Sequence, residues 1–139
     1  MSHPNDCLVL KVEEYDTDDC RLDTQLFVLY DTLKKNYVIR GKRRDRRVGE
    51  SKDYSFSSTS IIDLINFMNF SMCPQNTYSY ALYNYDNLPY DSNDITYEFL
   101  DSWVSPEYEI VAYDNADQYD FNYLAKLLRM LKNISNPYY

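Results

Sequence analysis

Two stretches of this chain can hide their apolar residues only as helices, and each hides them on one stripe. Over residues 57–72, Ile61, Leu64, Ile65, Met68 and Met72 share one helical stripe. Over 120–134, Phe121, Leu124, Leu128 and Leu131 do the same, with Leu127 and Ile134 widening the band. A helix apolar on a single stripe needs a covering layer on one side only. The ends carry matching signals. Ser57, Ser58, Thr59 and Ser60 offer N-caps, Asp63 stands three residues after Ser60, and Pro74 stops the first helix. Asp120 caps the second, and Lys126, Arg129 and Lys132 suit the negative end of its dipole.

The remaining apolar residues alternate, as half-buried strands do. Leu8, Leu10 and Val12 share a face in 7–15, and the run DTDD at 16–19 then turns the chain. Residues 25–42 read as a hairpin, QLFVLY and NYVIRGK about a DTLKK loop. Leu26, Val28 and Tyr30 oppose Phe27 and Leu29, so this arm is apolar on both faces and is expected at the centre of the sheet. Residues 77–85 and 107–113 are further strands. Residues 94–103 fit both periods: Ile95, Phe99 and Trp103 lie on one helical face, while Ile95, Tyr97 and Phe99 alternate. The helical reading is preferred. The expected architecture is a single α+β domain over 1–139, with an antiparallel or mixed sheet of four to five strands and two main helices on one face. Residues 1–6 and 135–139 are expected to be flexible.

Charge is distributed unevenly. Nine of the fourteen Lys and Arg residues lie between Lys34 and Lys52, opposed there only by Asp45 and Glu50, in a chain of net charge −8. Within this strip, 43–53 shows no apolar period and is expected to be a basic loop. Arg40, Lys42, Arg43, Arg44, Arg46 and Arg47 are the candidate binding residues. They are dense enough to neutralise several phosphates, and Tyr37 and Tyr54 flank them for stacking. The overall acidity of the chain opposes a polyanion. The same run also suits a solvated loop that keeps an edge strand soluble, or an import signal.

The complementary half is acidic and aromatic. Residues 53–125 hold no Lys, Arg or His and twelve Asp or Glu, and ten tyrosines lie between Tyr78 and Tyr123. Tyr83, Tyr85, Asp86, Tyr90 and Asp91 are the candidate binding residues there, since tyrosine is enriched where interfaces gain their energy. A basic groove on another protein, or the basic strip of a second copy, fits such a surface. A DNA mimic is a further reading, weakened by the irregular spacing of the acids. The plainer reading places most of these tyrosines in the core and leaves the acids to solvate the surface.

Catalytic residues are not evident. The single histidine, His3, sits near the terminus, which removes rigid Ser-His and Cys-His pairs and His-rich zinc sites. Only Gly41 and Gly49 are glycines, so no phosphate-cradling loop exists. Asp16, Asp18 and Asp19, and Asp114, Asp117 and Asp120, offer hard oxygen ligands, but they read better as turns. No catalytic residue, metal site or cofactor is assigned. Cys7, Cys20 and Cys73 read as small buried residues, with a Cys7–Cys20 disulfide the lesser alternative. No apolar run is long enough to span a bilayer, and the start MSHPNDC lacks signal-peptide character.

The stretches YDTLKKNYVIRGKRR and LYNYDNLPYDSNDITYEFL, with their Tyr-, Asn- and Asp-rich wording, resemble small proteins of amoeba-infecting giant DNA viruses of the mimivirus kind. The resemblance runs from Cys7 to Tyr139, and no motif in it carries a known chemistry. It implies a viral accessory or virion protein, in the host cytoplasm or the virion, and it implies no catalytic residue. The functional expectation is non-catalytic protein–protein interaction, with a host factor or between copies. Nucleic-acid binding through the strip at 34–52 is the alternative, and an acidic DNA-mimic inhibitor the second.

Overall fold

A computed structural model describes residues 7–18, 21–32, 34–45, 50–71, 75–85, 90–116 and 121–135. Six strands form one antiparallel sheet: β1 (Cys7–Tyr15), β2 (Leu22–Asp31), β3 (Asn36–Asp45), β4 (Glu50–Ser58), β5 (Thr77–Tyr85) and β6 (Glu109–Ala116). Their order is β4-β3-β2-β1-β5-β6. The first four strands meander in sequence, and β5 then returns to the free side of β1 and pairs with it along its length. Three helices follow the strands: α1 (Ile61–Ser71), α2 (Tyr97–Trp103) and α3 (Phe121–Ser135).

The period of two decides which side chains go where. Leu10, Val12, Leu26, Val28, Tyr30, Tyr37, Ile39, Tyr80 and Leu82 point to one face and pack with Leu64, Ile65 and Met68 of α1 and Leu124, Leu127, Leu128 and Leu131 of α3. The two single-stripe helices therefore share one face, as expected. Val9, Phe27, Leu29, Val38, Tyr83 and Tyr85 point to the other face, where Ile95 and Leu100 cover them. β2 lies inside the sheet, and residues 23–31 are buried without interruption. A strand apolar on both faces can satisfy both only there.

Several expectations need correction. The sheet has six strands, more than the four or five expected, because the basic stretch is itself a strand pair. The described part of the expected loop 43–53 is strand: β3 runs to Asp45 and β4 starts at Glu50, in register through Arg43↔Lys52 and Lys42↔Asp53, while 46–49 lie outside the described residues. Ladder hydrogen bonds come from the backbone, so a strand with few apolar residues forms where a neighbouring strand supplies partners, as β3 does for β4. The first helix begins at Ile61, not 57, because Ser57 and Ser58 belong to β4. Ser60 is the effective cap: its Oγ accepts from the Asp63 amide at 3.4 Å and its carbonyl from the Leu64 amide at 3.2 Å. The ambiguous 94–103 stretch is helical from Tyr97, and the Thr96 hydroxyl accepts from the Phe99 amide at 3.1 Å. Ser135 is the last residue of α3, and the expected flexible ends 1–6 and 136–139 lie outside the described residues.

Two backbone details hold the meander together. The four-residue β2–β3 loop closes with Lys35 in the left-handed region (φ 55°), and the Asp31 carboxylate accepts from the Lys34 amide at 3.1 Å. Gly41 sits where a Cβ would lie 2.1 Å from Leu26 Cδ2 and 2.8 Å from the Gln25 carbonyl oxygen. Glycine there lets β2 and β3 approach beneath a full core layer.

Candidate interaction surface

β3 presents Arg40, Lys42 and Arg44 on alternate positions of the α2 face, and the fold meets each of them internally. Arg40 donates through Nε to the Ile95 carbonyl at 2.8 Å and through Nη2 to that of Asn93 at 3.0 Å. Its Nη1 donates to its neighbour's carbonyl, Ile39, at 2.8 Å. Burial lowers the Arg40 pKa from its ordinary value. Lys42 Nζ lies 3.0 Å from the Glu98 carboxylate and 4.0 Å from that of Asp53, and 5.1 Å above the Tyr97 ring. The hydrogen bond it donates to the Glu98 carboxylate is the main reason its pKa is raised. Arg44 donates to the buried carboxylate of Asp23 at 2.9 Å. Three of the six strip residues thus fasten the 92–104 segment and the end of β2 to β3. Arg43 points to the opposite face, directly across from Lys52. Arg46 and Arg47 lie outside the described residues.

The expected acidic and aromatic face divides in the same way. Tyr83 and Tyr85 are core residues, not surface ones. The Tyr85 ring stacks on Trp103 at 4.0 Å, and its hydroxyl donates to the Trp103 carbonyl at 3.2 Å and accepts from the Ser105 amide at 2.6 Å. Alternation along β5 sets both tyrosines on one face, and the segment carrying Ile95 and Leu100 covers that face. Asp91 is exposed, pairs with Lys34 and caps the short 3-10 turn Ser92–Asp94, and these contacts lower its pKa. Tyr90 is exposed at 59%, with its ring edge-on to Phe99. Asp86 lies outside the described residues.

A polar cluster that the sequence does not single out lies at the far end of β1. The Glu14 side chain is fully buried and accepts from Thr24 Oγ1 at 2.6 Å, Tyr78 Oη at 2.8 Å and Asn76 Nδ2 at 3.0 Å. The alternation in β1 does reveal an inward-facing position 14, in line with Leu10 and Val12. Three donors around one carboxylate describe a structural network. Among the described residues, no group of three or more His, Cys, Asp or Glu is placed to hold a metal ion. Asp16 is buried and accepts from the Asp18 amide at 2.7 Å, as a turn residue does. Asp19, Asp117 and Asp120, together with Cys20 and Cys73, lie outside the described residues.

The two edges of the sheet differ. β6 pairs with β5 through two irregularities, between Tyr78 and Tyr80 and between Leu82 and Tyr83. β4 pairs with β3 over nine residues without a register shift and ends the sheet on the other side. Tyr54 and Phe56 of β4 are half-buried and meet Phe67 of α1, Phe56 stacked at 4.6 Å and Tyr54 edge-on at 6.4 Å. Asp53, Ser55 and Ser57 alternate with them and are exposed on the α2 face. A long, regular edge with half-covered aromatics is the form of strand that natural sheets usually guard.

No protein-family model, curated protein or solved structure matches this chain. No helix of the described residues is long and apolar enough to cross a membrane.

Proposed function

We propose that the protein works without catalysis, by binding another protein through the β4 edge of its sheet. The observation that carries this reading is the nine-residue, bulge-free edge strand with Tyr54 and Phe56 half-covered by Phe67. An extended partner strand adds to such an edge through main-chain hydrogen bonds, with the alternate side chains giving specificity. The engagement of Arg40, Lys42 and Arg44 by Ile95, Glu98 and Asp23 supports this reading over phosphate binding by the strip. The viral resemblance adds the setting: an accessory or virion protein in an infected cell.

The test is capture on the tagged full chain from producing cells, with half of the sample treated with nuclease. The same capture is run with Ser55→Pro, since proline in the middle of a strand interrupts main-chain pairing along it. A protein retained equally with and without nuclease, and lost with Ser55→Pro, is the expected result. Retention that collapses on nuclease treatment would return the basic strip to the centre.

A further inference from the structure

We propose that the strand received by β4 is the β4 of a second copy of this chain, paired antiparallel about a two-fold axis at Tyr54. The inference rests on the edge reading above and names its partner. The β6 edge carries two register irregularities, which twist an edge and spoil it as a template, whereas β4 has none. A head-to-tail β4–β6 contact is therefore disfavoured, and the regular edge is left to meet its own image. That contact is isologous and closes at two copies.

Charge and the number of residues paired select the register. A two-fold axis perpendicular to the sheet keeps each face continuous, so residues directly opposite must share a face. Centring the axis on Asp53 sets Asp53 against Asp53, and centring it on Lys52 sets Lys52 against Lys52. Like charges directly opposite are destabilising. Centring it on Tyr54, the midpoint of Glu50–Ser58, pairs all nine residues of the strand and opposes no like charges. Asp53 then faces Ser55 on the α2 face, where both are exposed. Tyr54 faces Tyr54, and Lys52 lays its aliphatic stem against Phe56. Each Phe67 extends the aromatic patch over the α1 and α3 face.

Ser55 provides the test, because its side chain is exposed; within its own sheet it stands across from Arg40, so in the protomer Ser55→Asp gains an opposite charge and Ser55→Lys meets a like one, the reverse of their effects on the dimer. Ser55→Asp sets a carboxylate against Asp53 of the other copy at two symmetric places. Ser55→Lys sets an ammonium there. Sedimentation equilibrium of the full chain, from about 1 μM to about 1 mM, reads the association constant directly. The expected result is a closed dimer, weakened about tenfold or more by Ser55→Asp and tightened by Ser55→Lys. The opposite signs exclude misfolding as the cause. A monomer throughout, a dimer indifferent to both substitutions, or an open series of larger species would each overturn the proposal. A monomer that still captures a different protein, lost with Ser55→Pro, would overturn the self-pairing and leave the proposed function standing.

Discussion

The Arg40 guanidinium donates to the Ile95 carbonyl at 2.8 Å, across 55 residues of sequence, and so ties the middle of β3 to the segment that leads into α2. The contact converts a surface cation into a structural clamp. Behind it, Ile95 and Leu100 close over Val9, Phe27, Leu29 and Val38. Arg40→Ala should therefore uncover that face and cost about 2–3 kcal/mol, the range for hydrogen bonds to a charged group. Arg40→Lys keeps the charge but loses the planar fork, and should recover less than half of the loss. Urea unfolding of the three proteins checks both statements. Equal stability of Arg40→Ala and the parent would show that the clamp is idle.

Glu14 should be as sensitive as a core leucine. Glu14→Ala strands the Thr24 hydroxyl, the Tyr78 hydroxyl and the Asn76 amide without their shared acceptor, at a cost of about 2–4 kcal/mol. Tyr78→Phe removes one donor and leaves the carboxylate those of Thr24 and Asn76, so about 1 kcal/mol is expected. Thermal and denaturant unfolding should rank the two in that order.

Gly41→Ala tests packing alone. Its new methyl meets Leu26 Cδ2 and the Gln25 carbonyl, and the carbonyl belongs to a strand held on both sides. A loss of about 1–3 kcal/mol is expected, as for other overpacked sites. A neutral result would mean that β2 and β3 separate at this point more easily than the ladder suggests.

Two tyrosines set the alkaline limit. Burial, helped by Tyr30, pushes Tyr37 up to about 12, and burial with the Asp101 and Glu13 carboxylates nearby pushes Tyr97 up to about 12. An unfolded tyrosine ionises near about 10. A folded pKa raised in this way gives stability that is complete below the unfolded value and is lost as pH rises through the folded value. Denaturant stability should therefore fall between about pH 10 and about pH 12. Tyr37→Phe should reduce that fall. It should also stabilise at neutral pH by about 1 kcal/mol, since the Tyr37 hydroxyl is buried with no hydrogen-bond partner among the described residues.

The Lys42–Glu98 pair works on a wider window. The Glu98 pKa is lowered, first by its backbone hydrogen bond and then by Lys42, while that of Lys42 is raised. The carboxylate's contribution is present above its unfolded pKa and is lost on acidification through the lower folded value. The ammonium's is present below its unfolded pKa and is lost as pH rises through the higher folded value. Glu98→Gln should loosen α2 at neutral pH, with faster amide exchange of Leu100 as the readout, and should matter little in strong acid.

Much of the secondary structure could be read from the residues, because it depends on periods. Leu124, Leu128 and Leu131 at helical spacing needed a sheet on one side, and they have one. Leu26 to Tyr30, apolar at every step, needed cover on both faces, and they have it. The helix over 94–103 was signalled less clearly, because Ile95, Tyr97 and Phe99 alternate as well as they wind. The packing of Leu100 and Ile95 beneath the segment settles it.

The sequence by itself determined which residues share a face, since the periods of strand and helix are properties of the backbone. Only the tertiary structure decided what each face meets. Arg40, Lys42 and Arg44 carry the same charge whether their partners lie in solvent, on a phosphate, or in the same chain. Only folding brings the Ile95 carbonyl, Glu98 and Asp23 within reach of them. The same holds for Tyr83 and Tyr85, whose rings suit an interface or a core equally well until α2 closes over them. β4 was hidden for a related reason. A strand whose two faces are serine and charge on one side and two aromatics on the other has no apolar period to betray it, and it forms because β3 offers it a ladder.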